Sequence, residues 1–304
     1  MHDPATRRGV IAMSIAMGLF ITNDALVKLA STSLPGPQLI CIRGLFASAL
    51  MLIVCQTLGA FKRDKTTGEL PVMQLLNGRL LFRASLDAAA SMVYLTALFH
   101  LPLPNATAIN SATPMIIILM AVVAFKEKVG LGRWLAIVAG FVGVLLIVQP
   151  AAAGFNSWAL LALFGTLLHS GRDLMTRVIP PRIPSLIITL STVLAVCLLS
   201  GTISLFQGWQ PVNARHLALL GSASVLLSAA YFLLIGAMRE GDISIVSPFR
   251  YTALLFALAL GWLLWGDVPN LMAMAGIVLL VAAGLFVLTH GRQRPSAVLD
   301  AAPD

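Results

Sequence analysis

The second half of this 304-residue chain repeats the first, and the repeated unit is very apolar. The stretch 97–143 aligns with 237–283 at a constant offset of 140 residues. Each copy holds a short polar connector, an apolar segment, an acidic residue (Glu127 or Asp267) and a second apolar segment. Upstream of these stretches the offset is 149, which aligns Asp24 with Asp173. Duplication of this kind is typical of membrane proteins built from two structural repeats.

Composition excludes most other classes of protein. The chain is 59% hydrophobic and 11% charged, and its mean hydropathy is +0.92. A water-soluble chain of this length has no means of hiding so much apolar surface. The net charge of +8 comes from residues scattered through short connectors, so no compact basic face is expected to follow nucleic acid. The predicted surroundings are a lipid bilayer.

Ten apolar runs are long enough to cross a bilayer, which takes about 20 residues in a helix. The expected fold class is therefore an all-α integral membrane protein with ten transmembrane helices. The runs lie at 10–30, 37–59, 80–100, 104–125, 131–149, 155–175, 184–206, 215–238, 243–265 and 270–290.

Lysine and arginine in the connectors predict the orientation, because cytoplasmic connectors are enriched in both. With both termini in the cytoplasm, only Lys28 and Arg215 lie in segments on the opposite side. The cytoplasmic segments then hold Arg7, Arg8, Lys62, Arg63, Lys65, Arg79, Lys126, Lys128, Arg133, Arg172, Arg177, Arg182, Arg239, Arg292 and Arg294. The expected location is a bacterial inner membrane.

Five spans per half impose an inverted relation between the halves, since the second half must enter the membrane in the opposite sense. Inverted repeats let one set of helices rock against the other, so that a central site faces each side in turn. We expect a cytoplasmic tail at 1–9, repeats at 10–149 and 150–290, and a second cytoplasmic tail at 291–304.

Several short sequences resemble the EamA branch of the drug/metabolite transporter superfamily over roughly residues 10–290. They are TNDALVK in the first span, IRG in the second, and a proline followed by an acid from Pro114 to Glu127. SPFRY at 247–251 resembles a subgroup that includes S-adenosylmethionine carriers. The resemblance implies a secondary carrier of amino acids or related metabolites. S-adenosylmethionine and riboflavin-type vitamins are the alternatives.

Charged residues inside the spans are candidate functional groups, because burying a charge in a bilayer costs about 2.5–3.5 kcal/mol on insertion scales. Three acid–base pairs are spaced four residues apart, which places both members on one helical face. One interpretation is mutual neutralisation within each pair. The other makes Asp24 or Asp173 a protonatable coupling site. The pairs are Asp24 with Lys28, Arg83 with Asp87, and Asp173 with Arg177.

Arg43 and Arg250 lie about two turns inside their spans, with no acid three or four residues away. Two guanidinium groups are suited to hold a carboxylate or phosphate on a substrate. The alternative is that they reach aspartates on other helices or extend to the interface.

Helix breaks and polar residues outline a midplane substrate site. Pro114 and Pro248 each remove a backbone donor in corresponding spans of the two halves, and the freed carbonyls suit a cavity wall. Candidate substrate-binding residues are Arg43, Asn110, Tyr231, Ser247, Arg250 and Tyr251. His169 is a further candidate because imidazole titrates near neutral pH, although hydrogen-bonded packing is the alternative.

The chain is expected to be a transporter and not an enzyme. Its sequence contains no Walker loop, HExxH, GxSxG or dinucleotide fingerprint, so neither metal nor cofactor is expected. The expected partners are a small-molecule substrate, the lipid bilayer and, for a coupled carrier, protons, with the chain acting as a monomer or homodimer. An integral-membrane enzyme and a flippase subunit or scaffold are the alternatives from other classes.

The topology yields a direct test. Reporter domains fused to either terminus should lie in the cytoplasm, where green fluorescent protein fluoresces and alkaline phosphatase is inactive. Active phosphatase at the C-terminus would contradict an even number of crossings.

Overall fold

The structure, a computed structural model, describes residues 4–61, 71–126, 130–149, 156–176, 178–180, 183–240 and 243–289. Predicted features outside these ranges are Glu127, Arg177, residues 1–3 of the first tail and all of the second tail, together with Lys62, Arg63, Lys65, Lys128 and Arg182 of the predicted cytoplasmic segments.

The described residues form helices and short connectors, with no β-strand among them. Two 3-10 helices, Pro71–Leu76 and Ser247–Tyr251, interrupt the α-helical series. The α-helices are α1 (Pro4–Ala30), α2 (Gly36–Thr57), α3 (Gly78–His100), α4 (Leu103–Asn110), α5 (Thr113–Phe125), α6 (Leu131–Val148), α7 (Trp158–Thr176), α8 (Ser185–Gln207), α9 (Ala214–Glu240), α10 (Ile243–Val246), α11 (Thr252–Trp265) and α12 (Leu271–Thr289).

The all-helical prediction is confirmed over the described residues, and every predicted span coincides with helical structure. Seven helical stretches of the described residues are long and apolar enough to cross a membrane, and two of them join α4 with α5 and the second 3-10 helix with α11. Charged residues lower the hydropathy of α3 and α7, and the apolar part described for α12, Leu271–Val287, is shorter. The count of ten crossings therefore stays a prediction.

The outer face of the helix bundle is apolar, as a bilayer requires. Phe206 is 92% exposed and Leu263 is 70% exposed, on helices from different parts of the chain. Leucines and methionines such as Met13, Leu98 and Leu220 are fully buried between helices. With apolar side chains both inside and outside, burial of apolar surface does not by itself bring helices together in lipid, so close packing matters more.

Helix pairs from the two halves pack in a reciprocal pattern. Helix α1 packs on α9, and its repeat counterpart α7 packs on α3. Helix α2 packs on α9 while α8 packs on α3, and α1 contacts α11 while α5 contacts α7. Two further contacts, α2 with α8 and α6 with α12, each join a helix to its own counterpart, and α4 contacts α11 in the corresponding broken span. Exchanging the halves thus reproduces the main contacts that α1, α2 and α3 make with the other half.

Two helices are broken at corresponding positions. Helix α4 ends at Asn110 and α5 begins at Thr113, with Pro114 in its first turn. In the second half, the 3-10 helix that contains Pro248 separates α10 from α11. Proline lacks a backbone donor and is accommodated in the first turn of a helix, which explains why a new segment starts at each.

Helices α6 and α12 approach closely because two glycines face each other. A Cβ atom added to Gly143 would lie 2.8 Å from the carbonyl oxygen of Gly276, and one added to Gly276 would lie 2.6 Å from that of Gly143. Both contacts are with backbone, which has little freedom to move aside.

Enlarging this contact should destabilise the protein. We expect Gly276→Ala to lower the melting temperature of detergent-purified protein, because overpacking costs about 1–3 kcal/mol. The matched control is Gly221→Ala on α9, where an added Cβ meets nothing within 4 Å. Equal melting temperatures for the two variants would contradict the close approach of α6 and α12.

Candidate functional site

A cavity of about 600 Å³ lies between the two halves of the bundle. Helices α1, α2, α3, α7, α8 and α9 contribute to its wall, together with both broken helices. Most of the residues singled out in the sequence line this one space. They are Asp24, Arg43, Arg83, Asp87, Asn110, Pro114, His169, Asp173, Tyr231, Arg250 and Tyr251.

Four predicted residues are not placed at the cavity. Lys28 and Pro248 are absent from its wall. The side chain of Ser247 and the whole of Arg177 lie outside the described part of the chain. The predicted pair of Asp173 with Arg177 is therefore not described.

Arg172 holds two aspartates at the cavity wall. Its Nη1 donates to Asp87 Oδ1 at 2.7 Å, and its Nη2 contacts Asp173 Oδ1 at 2.9 Å. The carboxylate of Asp87 is only 3% exposed. A carboxylate this buried needs a partner, and a guanidinium that bonds both aspartates joins α3 to α7.

Arg83 completes this cluster from α3. Its Nη1 lies 3.8 Å from Asp87 Oδ2, four residues further along the helix. Its Nε donates to Thr176 on α7 at 2.8 Å, and its Nη1 donates to Thr192 on α8 at 2.7 Å. The arginine thereby links three helices at one end of the cavity.

A looser group of charges faces this cluster from α1 and α2. Arg43 is 7% exposed, and its Nη1 lies 3.5 Å from Asn23 Oδ1. Asn23 in turn donates to Asp24 Oδ1 at 2.9 Å. The charges of Arg43 and Asp24 act on each other, but the two groups form no salt bridge within 4.0 Å. The amide of Asn23 thus connects the two charged groups.

Asp24 and Lys28 do not form the ion pair that their spacing predicts. The ammonium of Lys28 donates to the carbonyl oxygens of Leu98, at 3.1 Å, and Leu101, and lies 5.4 Å from the ring centre of Trp265. The carbonyls at the end of α3 are free to accept because a helix leaves its last carbonyls without partners. The long side chain of Lys28 reaches them in preference to the carboxylate one turn away.

Arg250 lies in the 3-10 helix before α11, within the predicted ninth span, and its side chain is exposed. It lines the cavity, and no side-chain partner is found for it among the described residues. The next residue, Tyr251, is buried against Gly284, and its hydroxyl has no hydrogen-bond partner in the described structure.

Aromatic and imidazole rings form another part of the wall. Phe20 and Tyr231 meet edge to face with ring centres 5.0 Å apart. His169 Nδ1 lies 3.4 Å from Asn110 Oδ1, and its ring is 5.6 Å from that of Tyr94. These rings offer flat apolar surfaces beside the charged groups.

Polar contacts between the halves close the bundle at the end where Lys28 lies. Gln38 makes two hydrogen bonds of 2.8 Å with the backbone of Gln210. Ser33 Oγ lies 2.7 Å from His216 Nε2. We call the end defined by Lys28, Gln38 and His216 the closed end. The Arg83–Arg172 cluster marks the opposite end of the same helices.

Arg172, Asn23 and Phe20 line the cavity but were not among the residues selected from the sequence. The charge pattern of the sequence predicts a cytoplasmic segment for Arg172, whereas the side chain is 18% exposed within α7. The sequence repeat nevertheless contains one indication that this residue matters. At the offset of 149, Arg172 aligns with Asn23, so both are the residue preceding a repeated aspartate.

Neither metal nor disulfide chemistry is apparent in the described part. No group of three histidine, cysteine or carboxylate side chains there is arranged to hold a metal ion. The cysteines are free and lie within helices, at Cys41, Cys55 and Cys197.

Comparison with known families identifies the chain. The model of the EamA-like transporter family matches twice, over residues 7–149 and 156–289. The chain therefore belongs to the EamA-like transporter family, within the drug/metabolite transporter superfamily. It is a multi-pass membrane protein of a family whose named relatives transport small molecules.

The names of individual relatives refer to different transported compounds. A riboflavin transporter of Rhizobium johnstonii is 30% identical over 71% of this chain and 72% of its own length. A pseudopaline exporter of Pseudomonas aeruginosa is 25% identical, over 91% and 94%. An S-adenosylmethionine uptake transporter of Rickettsia prowazekii is 24% identical, over 90% of both.

A solved crystal structure has the same fold. It superimposes with a TM-score of 0.60 and covers 94% of this chain and 99% of its own, at 17% sequence identity.

The two kinds of arginine should respond differently to mutation. Arg172→Gln removes the charge that holds Asp87 and Asp173, and breaking a buried pair costs about 3–5 kcal/mol, so a clear loss of melting temperature is expected. Arg250→Gln removes an exposed charge without a described partner and should change the free energy of unfolding by no more than about 0.5 kcal/mol, so its melting temperature should stay close to that of wild type. Thermal unfolding of both variants in the same detergent checks this. A larger loss in Arg250→Gln would contradict the assigned pairing.

Proposed function

We propose that the chain is a secondary transporter that moves a small organic metabolite, an amino acid or related compound, by alternating access. Ten helices cross a bacterial inner membrane as two inverted five-helix repeats, with both termini in the cytoplasm. The observation that carries this proposal is the charged cavity between the halves, lined by residues of both repeats.

Reciprocal packing supports the inverted arrangement. The contacts of α1, α2 and α3 with the other half have counterparts when the halves are exchanged, as expected for repeats related by a two-fold axis. The broken helices, α4–α5 and α10–α11, are also counterparts, and both contribute to the cavity wall. Irregular backbone at membrane depth is tolerated where it faces a cavity.

Contacts between the halves are present at both ends of these helices. Under the proposed orientation, the closed end faces away from the cytoplasm and the Arg83–Arg172 cluster lies toward it. Gln38 bonds the backbone of Gln210 at the first end, whereas Arg83 bonds Thr192 and Arg172 bonds Asp87 at the second. Alternating access requires the contacts at each end to separate in turn.

The charges of the cavity favour a substrate with an anionic group. Its wall carries four arginines and three aspartates, listed as Arg43, Arg83, Arg172, Arg250, Asp24, Asp87 and Asp173. Arg83 and Arg172 are bound to aspartates, which leaves Arg250 exposed and without a described partner. A guanidinium in this state suits a carboxylate, which it binds through two parallel hydrogen bonds.

Ring-bearing metabolites are the second candidate class. The rings of Phe20, Tyr94 and Tyr231 line the same cavity, and stacking on such rings is favourable for flat heterocycles. Relatives named for riboflavin and S-adenosylmethionine support this class. An amino acid with an attached ring satisfies both parts of the wall.

A ligand screen tests the proposal and identifies the class. Amino acids, S-adenosylmethionine, riboflavin, nucleosides and small carboxylates are added to detergent-purified protein, and a ligand of the folded state raises the melting temperature. Hits are then assayed for uptake into liposomes that contain only this chain. Absence of uptake by purified protein, with activity in whole cells, would contradict a self-sufficient carrier and favour a subunit or scaffold.

Arg250→Ala should abolish transport of the hit compound while the protein remains in the membrane at the normal level. The matched control is Arg215→Ala, which removes an exposed arginine that does not line the cavity. Initial rates of uptake into liposomes, normalised to reconstituted protein, provide the measurement. Wild-type rates of uptake in Arg250→Ala would show that this arginine does not bind the substrate.

A further inference from the structure

Asp24 is the one aspartate of the described cavity wall that has no salt bridge. Asp87 and Asp173 are both bound by Arg172, at 2.7 and 2.9 Å. The side chain of Asp24 accepts one described hydrogen bond, from the neutral amide of Asn23. A carboxylate at membrane depth is stable with a cation or with several donors, so this group is under-compensated.

Neither nearby cation supplies the missing contact. Lys28, one turn further along α1, is bound to carbonyl oxygens at the closed end. Arg43 acts on Asp24 through space but donates to Asn23, and its Nε has no hydrogen-bond partner in the described structure. The Asp24 carboxylate is half-buried and faces the cavity, where a ligand is able to reach it.

The surroundings of Asp24 suit a compact organic cation. Phe20 lies one turn earlier on the same helix and contacts Tyr231 edge to face, and both rings line the cavity. Cations are attracted to the faces of aromatic rings by about 0.5–2 kcal/mol. A carboxylate flanked by rings therefore recognises an ammonium or sulfonium group better than it recognises a neutral hydrogen-bond donor.

We propose that Asp24 binds the cationic group of a zwitterionic substrate, while Arg250 binds its anionic group. This inference rests on the proposed transport function and narrows its substrate class. A zwitterion carries one group for each of these two charges, and Asp24 and Arg250 line the same cavity. Simple acids leave Asp24 without a cation and place a second negative charge near it, so the site discriminates against them.

Pairs of ligands that differ only in the ammonium group test whether Asp24 binds the cationic group of the substrate. L-phenylalanine and L-methionine are compared with 3-phenylpropanoate and 4-(methylthio)butanoate, which lack only the ammonium group, and S-adenosylmethionine is the sulfonium probe. Dissociation constants come from melting-temperature shifts of wild type, Asp24→Asn and Asp24→Glu. Asp267→Asn is the control, since it makes the same change at an aspartate that does not line the cavity.

Wild type should bind at least one zwitterion about 10-fold more tightly than its deaminated counterpart, a difference of about 1.4 kcal/mol typical of charge-assisted hydrogen bonds. The ratio should fall to about 1 in Asp24→Asn, be largely restored in Asp24→Glu, and persist in Asp267→Asn. Deaminated acids that bind wild type as tightly as the amino acids would overturn the inference, as would an unchanged ratio in Asp24→Asn.

Exchange transport distinguishes substrate binding from a role in proton coupling. Liposomes preloaded with unlabelled substrate take up labelled substrate without any proton gradient. Asp24→Asn should lose this exchange if the carboxylate binds substrate. Normal exchange with loss of pH-driven accumulation would assign Asp24 to proton coupling and overturn the inference, leaving the transport function intact.

If no zwitterion binds but other screened compounds do, only the substrate class is wrong; if nothing binds or moves, the proposed function fails as well.

Discussion

The cost of placing a charge among apolar helices governs the arrangement of this protein. Arg172 reduces that cost by bonding Asp87 and Asp173 together, and Arg83 adds bonds to hydroxyl groups of α7 and α8. A pair of this kind does not need to add net stability, because desolvation offsets much of the attraction. Its effect is to fix which helices are neighbours, since removing either partner leaves a buried charge.

Hydroxyl groups buried among the helices also need hydrogen-bond partners. Ser170 and Ser200 donate to carbonyl oxygens one turn earlier in their own helices, at 2.8 and 2.6 Å. These hydroxyl groups therefore have hydrogen-bond partners within their own helices and need none from neighbouring helices. Salt bridges between helices in the described part of the chain lie in the Arg83–Arg172 cluster, which is part of the cavity wall. The least compensated charged groups of the same wall are Asp24 and Arg250.

Most of the helices could be predicted from sequence because apolar runs of fixed length follow from bilayer thickness. The breaks near Pro114 and Pro248 were also visible, since proline acts on its own backbone. Side-chain partners were less predictable. Spacing of four residues suggested that Lys28 pairs with Asp24, but the carbonyl groups it reaches belong to α3, about 70 residues away in sequence. Local spacing holds no information about such contacts, which depend on how helices pack.

The two repeats differ in the residues around one pair of equivalent aspartates, and this difference explains why Asp173 has a salt bridge and Asp24 has none. Asp24 and Asp173 occupy equivalent positions, but the residue before each is Asn23 in one half and Arg172 in the other. On the neighbouring helix the distribution is the opposite, with the cationic Arg43 in the first half and the neutral Thr192 in the second. The two halves therefore differ at this position: the second holds a cluster of directly bonded charges, and the first holds a group bridged by a neutral amide. The cluster of bonded charges joins helices, whereas the bridged group leaves a carboxylate at the cavity without a salt bridge, as the proposed binding of a substrate cation requires.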